Sequence, residues 1–119
     1  MEELEKSLLS INYYGLNTDD ILIKRSHTSF ELEWFRVYND IEKMKLNGTY
    51  TKENKAYHNK VRDNIFGKIY RRCGDGELAE YISSDFAMIV DSIILGYKDS
   101  WLDKLIASYR NAVIPAGNL

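Results

Sequence analysis

The segment around residues 86–97 constrains the fold most. Phe86, Ile89, Val90, Ile93, Ile94 and Tyr97 fall on one face of a helix, while Met88 and Leu95 fall on nearly the opposite one. A helix that is apolar on two sides is buried between neighbours. This pattern predicts a central helix near residues 84–95, starting at Ser83-Ser84-Asp85, all good capping residue types. A turn over Glu77–Tyr81 is expected to lead into it.

The rest of the chain supplies the neighbours. Leu4, Leu8 and Ile11 step at helical spacing behind Glu2, Glu3 and Glu5, which suit the positive end of a helix dipole. Phe30, Trp34, Val37, Ile41 and Met44 form a second stripe, with Thr28 and Glu31 in a capping-box pattern before it and Asn47-Gly48 after it. Tyr57, Val61, Ile65, Ile69 and Cys73 form a third stripe, ended by Gly74-Asp75-Gly76. Trp101, Leu102, Leu105, Ile106 and Tyr109 form the last, with Ser100 and Asp103 as its capping pair. Only GLNTDDILIKRS, residues 15–26, shows no clear period. It reads as irregular or helical, since no partner strand is evident. The lone proline, Pro115, leaves the body of the chain free of the strongest helix breaker. The expectation is a single all-α domain over 1–119, a bundle of about five helices.

The 119 residues carry 16 basic and 18 acidic groups, for a net charge of −2. They are 45% apolar and 29% charged, which excludes a disordered or low-complexity chain. A single cysteine forms no internal disulfide. The acidic amino end is unlike a signal peptide, and no apolar run reaches the length of a membrane span. These features predict a cytoplasmic protein with no membrane partner.

Charge is unevenly placed. Residues 52–72 hold seven basic and two acidic groups, a cationic segment with acidic sequence on both sides. Clustered Lys and Arg can neutralise nucleic-acid phosphates, but dedicated nucleic-acid binders are basic throughout, with pI above about 9. This chain has a pI near 5.7. The bland reading of 52–72, a solvated face paired with acidic neighbours, is preferred. A nucleic-acid-binding regulator using this segment remains the alternative function.

The acidic counterparts are Asp19 and Asp20, and the cluster Asp75, Glu77, Glu80 and Asp85 with Tyr81 inside it. Carboxylates with an aromatic anchor, presented between two strong helices, form a surface able to capture a basic partner. These seven residues are the candidate partner-binding set. Their bland reading is helix capping and solubility. Enzyme chemistry finds no support: His27 and His58 form no metal-binding pair, no nucleotide or hydrolase motif occurs, and no cofactor is indicated. Cys73 with His58 as nucleophile and base is outweighed by Cys73 as the small end of an apolar stripe.

The stretch from Glu80, EYISSDFAMIVDSIILGYKDSWLDKLIASYRNAVIP, resembles the carboxyl half of small helical immunity proteins of bacterial polymorphic and contact-dependent toxin systems. The likeness rests on the ISSDF helix start, the GY-KDSWL junction and the SYRN-x-x-IP ending, about a third of the chain. It implies a protein without chemistry of its own that binds a cognate toxin and occludes its active site or substrate path. A basic nuclease surface would complement the two acidic clusters.

Overall fold

The computed structural model describes residues 1–119, and every regular element in it is helical. Six α-helices follow in order: α1 Glu2–Leu9, α2 Thr18–Ser26, α3 Phe30–Lys45, α4 Lys52–Cys73, α5 Gly76–Leu95 and α6 Ser100–Arg110, with one 3-10 turn at Tyr13–Gly15. The additional helix relative to the expected five is α2, in the stretch without a readable period.

The helix ends show how local chemistry sets the boundaries. Asn17 accepts from the Asp20 amide (3.0 Å) to start α2. Thr51 and Asn54 exchange bonds in a capping box that starts α4. Asp75 caps α5 through the Leu78 amide (2.9 Å), and Asp99 caps α6 through Leu102 (3.0 Å). Left-handed Gly74 (φ 67°) and Gly96 (φ 68°) close α4 and α5, a conformation that favours glycine.

Three expected caps are corrected by this geometry. Ser83-Ser84-Asp85 lies well inside α5, because Asp75 starts the helix two turns earlier. Thr28 and Glu31 make no capping box: α3 begins after Ser29, and Thr28 instead donates to the Lys24 carbonyl at the end of α2. At α6 the cap is Asp99, not Ser100.

α5 runs through the middle. Every residue from Asp85 to Ser92 is buried, so that stretch is enclosed on all sides. Phe86 meets Tyr109 of α6 edge-on, with ring centroids 4.9 Å apart, and Phe30 meets Trp101 at 5.1 Å. Leu8, Ile41, Ile65, Ile69, Ile82 and Leu105 complete one continuous core. Ile93, expected on the buried face, is instead 61% exposed. It lines an open depression with Met1, Leu4 and Ile106, where α1 and α6 flank the last turn of α5 without closing over it.

No helix is long and apolar enough to cross a membrane.

Candidate functional site

The most organised polar structure in the protein was invisible to sequence patterning. Asp85 has 0% exposure and accepts four hydrogen bonds. Arg25 donates two, from Nη1 (2.9 Å) and Nη2 (2.8 Å); Trp34 Nε1 donates one (2.8 Å); the Tyr109 hydroxyl donates one (2.6 Å). Arg25, itself 4% exposed, also donates to the Pro115 carbonyl at 3.2 Å. Its Nε has no acceptor, and the Phe30 ring lies 4.2 Å from the guanidinium carbon. Burial alone would lower the Arg25 pKa, but the paired Asp85 carboxylate holds it above its ordinary value. Burial, reinforced by Asp85, pushes the Tyr109 phenol up.

This cluster brings together three short sequence features, all far from Arg25 in the chain. Asp85 of ISSDF, Tyr109 of SYRN and the Pro115 carbonyl of the IP ending converge on Arg25. They clamp α2 and the carboxyl-terminal tail onto α5 and α6. The tail is held further by Gly117 N donating to the Lys24 carbonyl (3.2 Å) and by Ser29 donating to Asn118 (2.5 Å).

A second buried carboxylate lies farther along α5. Asp91 receives His58 Nδ1 at 2.9 Å, the Tyr50 hydroxyl at 2.5 Å and Lys45 Nζ at 2.9 Å. Burial opposes the charged form, yet these three neighbours outweigh it and hold the Asp91 carboxyl below its ordinary value. Lys45 also bonds Glu42 (2.8 Å) and stands 4.6 Å from the centre of the Tyr50 ring.

Beside the Asp85 cluster, toward the start of α5, the surface opens. A groove of about 450 Å³ lies between α3 and α5, walled by Trp34, Phe35 and Tyr38 on one side and Tyr81 on the other. Trp34 stacks on Tyr38 (5.5 Å, 15°) and meets Phe35 edge-on (5.4 Å, 78°). Phe35 and Tyr38 are 49% and 40% exposed. Large aromatic side chains left at the surface in one cluster mark an interaction site more often than scattered ones do. Past Trp34 and Tyr38 the groove narrows into a pocket of about 190 Å³, floored by Ala87 and Met88 and edged by Lys45, Lys55, His58 and Arg62.

The seven residues expected to bind a partner separate against this geometry. Glu80 and Tyr81 line the aromatic groove. Glu77 is exposed on the first turn of α5, and Asp75 is occupied as its cap. Asp85 leaves the surface altogether: a partner meets it only by opening the bundle. Asp19 and Asp20 lie in the first turn of α2, at the other end from Arg25 and outside the groove, with Asp20 paired to Lys24 (3.0 Å). Trp34, Phe35 and Tyr38 were missed as site residues because Trp34 belongs to a convincing core stripe. The neighbouring Phe35 and Tyr38, off that stripe, were the available signal.

The cationic segment forms α4 as expected. Of its lysines and arginines only Lys68 pairs with another element, with Glu5 at 2.6 Å, and Arg62 lies 3.9 Å from Asp63 of its own helix. The cations of α4 therefore do not neutralise the 75–85 carboxylates. Cys73 and His58 stand fifteen residues apart on that helix, about 22 Å along its axis, too far to act together. No three His, Cys, Asp or Glu side chains gather in a metal-binding arrangement.

Among known families, the model of the family described as Immunity protein PIM1 matches residues 2–116. No curated protein and no solved structure matches the chain.

Proposed function

Since this chain belongs to the PIM1 immunity protein family, we propose that it neutralises a nuclease toxin in the cytoplasm of a bacterium by covering the toxin's active site. The observation that carries this reading is the family match across residues 2–116, almost the whole chain. The surface supports it: Glu77 and Glu80 are exposed, unpaired with any internal cation and adjacent to Tyr81, a combination suited to a basic nuclease face. Inhibition is by occlusion, with no catalytic step. A contact-dependent growth-inhibition system is the setting this role fits.

The test is coexpression with candidate nuclease toxin domains, beginning with any encoded beside this gene. Growth should be restored, and the purified pair should fail to cut nucleic acid that the toxin alone degrades. Toxicity undiminished by a folded, abundant partner would contradict the reading.

One observation favours a second reading. Lys52, Lys55, Lys60 and Arg71 are exposed on α4 with no carboxylate partner, as expected of a nucleic-acid-binding regulator. That reading predicts binding to random duplex that weakens steeply between about 50 and 200 mM salt. Absence of binding at low salt removes it.

A further inference from the structure

Two carboxylates edge the aromatic groove, Glu31 on α3 and Glu80 on α5. Both are exposed, and neither has a cation within ion-pair distance in the protein. The groove wall already holds one guanidinium from within: Arg25 lies 4.2 Å from the centre of the Phe30 ring and 5.1 Å from that of Tyr81. Its charge is met by both oxygens of Asp85. The outer side of the same wall, formed by Trp34, Phe35 and Tyr38, has rings and nearby carboxylates but no cation of its own.

We propose that this groove receives a protruding arginine or lysine side chain of the toxin, its stem against Trp34, Phe35 and Tyr38 and its charged end at Glu31 and Glu80. This rests on the toxin-binding reading and names its recognition chemistry. Aromatic faces attract cations, and carboxylates bond them with charge-assisted strength. Arginine is also among the residues most often dominant at interfaces. Farther along, the carboxylates of the adjoining pocket, Glu42 and Asp91, are already paired with Lys45, and Lys55 and Arg62 edge it as well, so the carboxylates open to an incoming cation are those at the Glu31–Glu80 end.

The experiment is calorimetric titration of the purified chain with the nuclease toxin domain whose toxicity it suppresses in the coexpression test. The variants are Phe35→Ala and the double variant Glu31→Gln with Glu80→Gln. All three residues are exposed, so thermal melts should match the wild type. The double variant should weaken binding at least about tenfold and flatten its salt dependence. Phe35→Ala should weaken it by a similar factor, chiefly through faster dissociation. Wild-type affinity in both variants overturns the groove while leaving toxin binding intact. Weakening by Phe35→Ala alone means an apolar anchor and overturns the cation. Dimers of the wild type that vanish in Phe35→Ala identify a second copy as the occupant, with the same consequence. A wild-type chain that binds no toxin rejects the toxin-binding reading itself, and the inference with it.

Discussion

The two flanks of α5 put the same kinds of residue to opposite use. On the flank facing α2 and α6, an arginine, an aspartate, a tryptophan and a tyrosine are sealed into one hydrogen-bonded cluster around Asp85. On the flank between α3 and α5, glutamates and aromatic rings stand unpaired at the rim of a groove. Trp34 belongs to both: its indole N–H is inside and its ring is in the groove wall. The comparison teaches that a carboxylate near an aromatic says little about function until its partner is known. Asp85 and Glu80 are five residues apart on one helix. One has a buried arginine, so its charge is consumed in holding the fold. The other has none, so its charge is available.

The largest effect that would break this contrast is at the sealed flank. Asp85→Ala should cost about 3–5 kcal/mol, because it strands the buried charge of Arg25. Guanidinium unfolding measures it, and a loss below about 1 kcal/mol would mean that the cluster is open to water. Next is Ile89, fully buried at the centre of α5. Ile89→Ala should cost about 2–5 kcal/mol by the same measurement, as core truncations do.

A smaller effect is expected with acid. Burial works against the Asp91 charge, but bonds from His58, Tyr50 and Lys45 hold its folded pKa below the unfolded value. Its contribution is therefore complete above the ordinary aspartate value of about 3.9 and is lost as pH falls through the lower folded value. Asp99 shifts in the same direction, held down first by Arg36. Replacing Asp91 with Asn should shallow the acid limb of stability against pH without abolishing it. An unchanged limb would show that Asp91 is not charged in the fold. The smallest effect is Ile93→Ala, expected to cost under about 1 kcal/mol because Ile93 is already in water. A cost equal to that of Ile89→Ala would place the edge of the core farther along α5.

The stripes that packed were legible in the sequence, and the polar contacts were not. Phe30, Val37 and Ile41, then Ile65 and Ile69, then Leu102, Leu105 and Tyr109 announce themselves by spacing, and all are buried. α2 did not, because the one residue it fully buries is Arg25, which no hydrophobic period can mark. Its bond to Asp85 joins positions sixty residues apart. Ser83-Ser84-Asp85 looked like a helix start because those residue types cap helices. Here Ser83 satisfies its hydroxyl on the Glu80 carbonyl (3.0 Å) within the helix, and Asp85 meets Arg25. Ile93 shares the face of Ile89 by periodicity, but periodicity does not show how closely the flanking helices close over a position. At the candidate site, Glu80 and Tyr81 could be named from charge and aromaticity. Of their companions, Phe35 and Tyr38 stood off the core stripe as aromatic signals, but only the fold shows that α3 brings them and Trp34 beside Glu80 and Tyr81.

The account's central claim is that the open flank of α5 meets the toxin while the sealed flank only supports it. Hydrogen–deuterium exchange, comparing the free protein with its complex with the cognate toxin domain, tests this most directly. The account predicts new protection in residues 30–38 and 77–84, with α1 and α6 unchanged. Protection confined to α1 and α6, or to the outer face of α4, would contradict it.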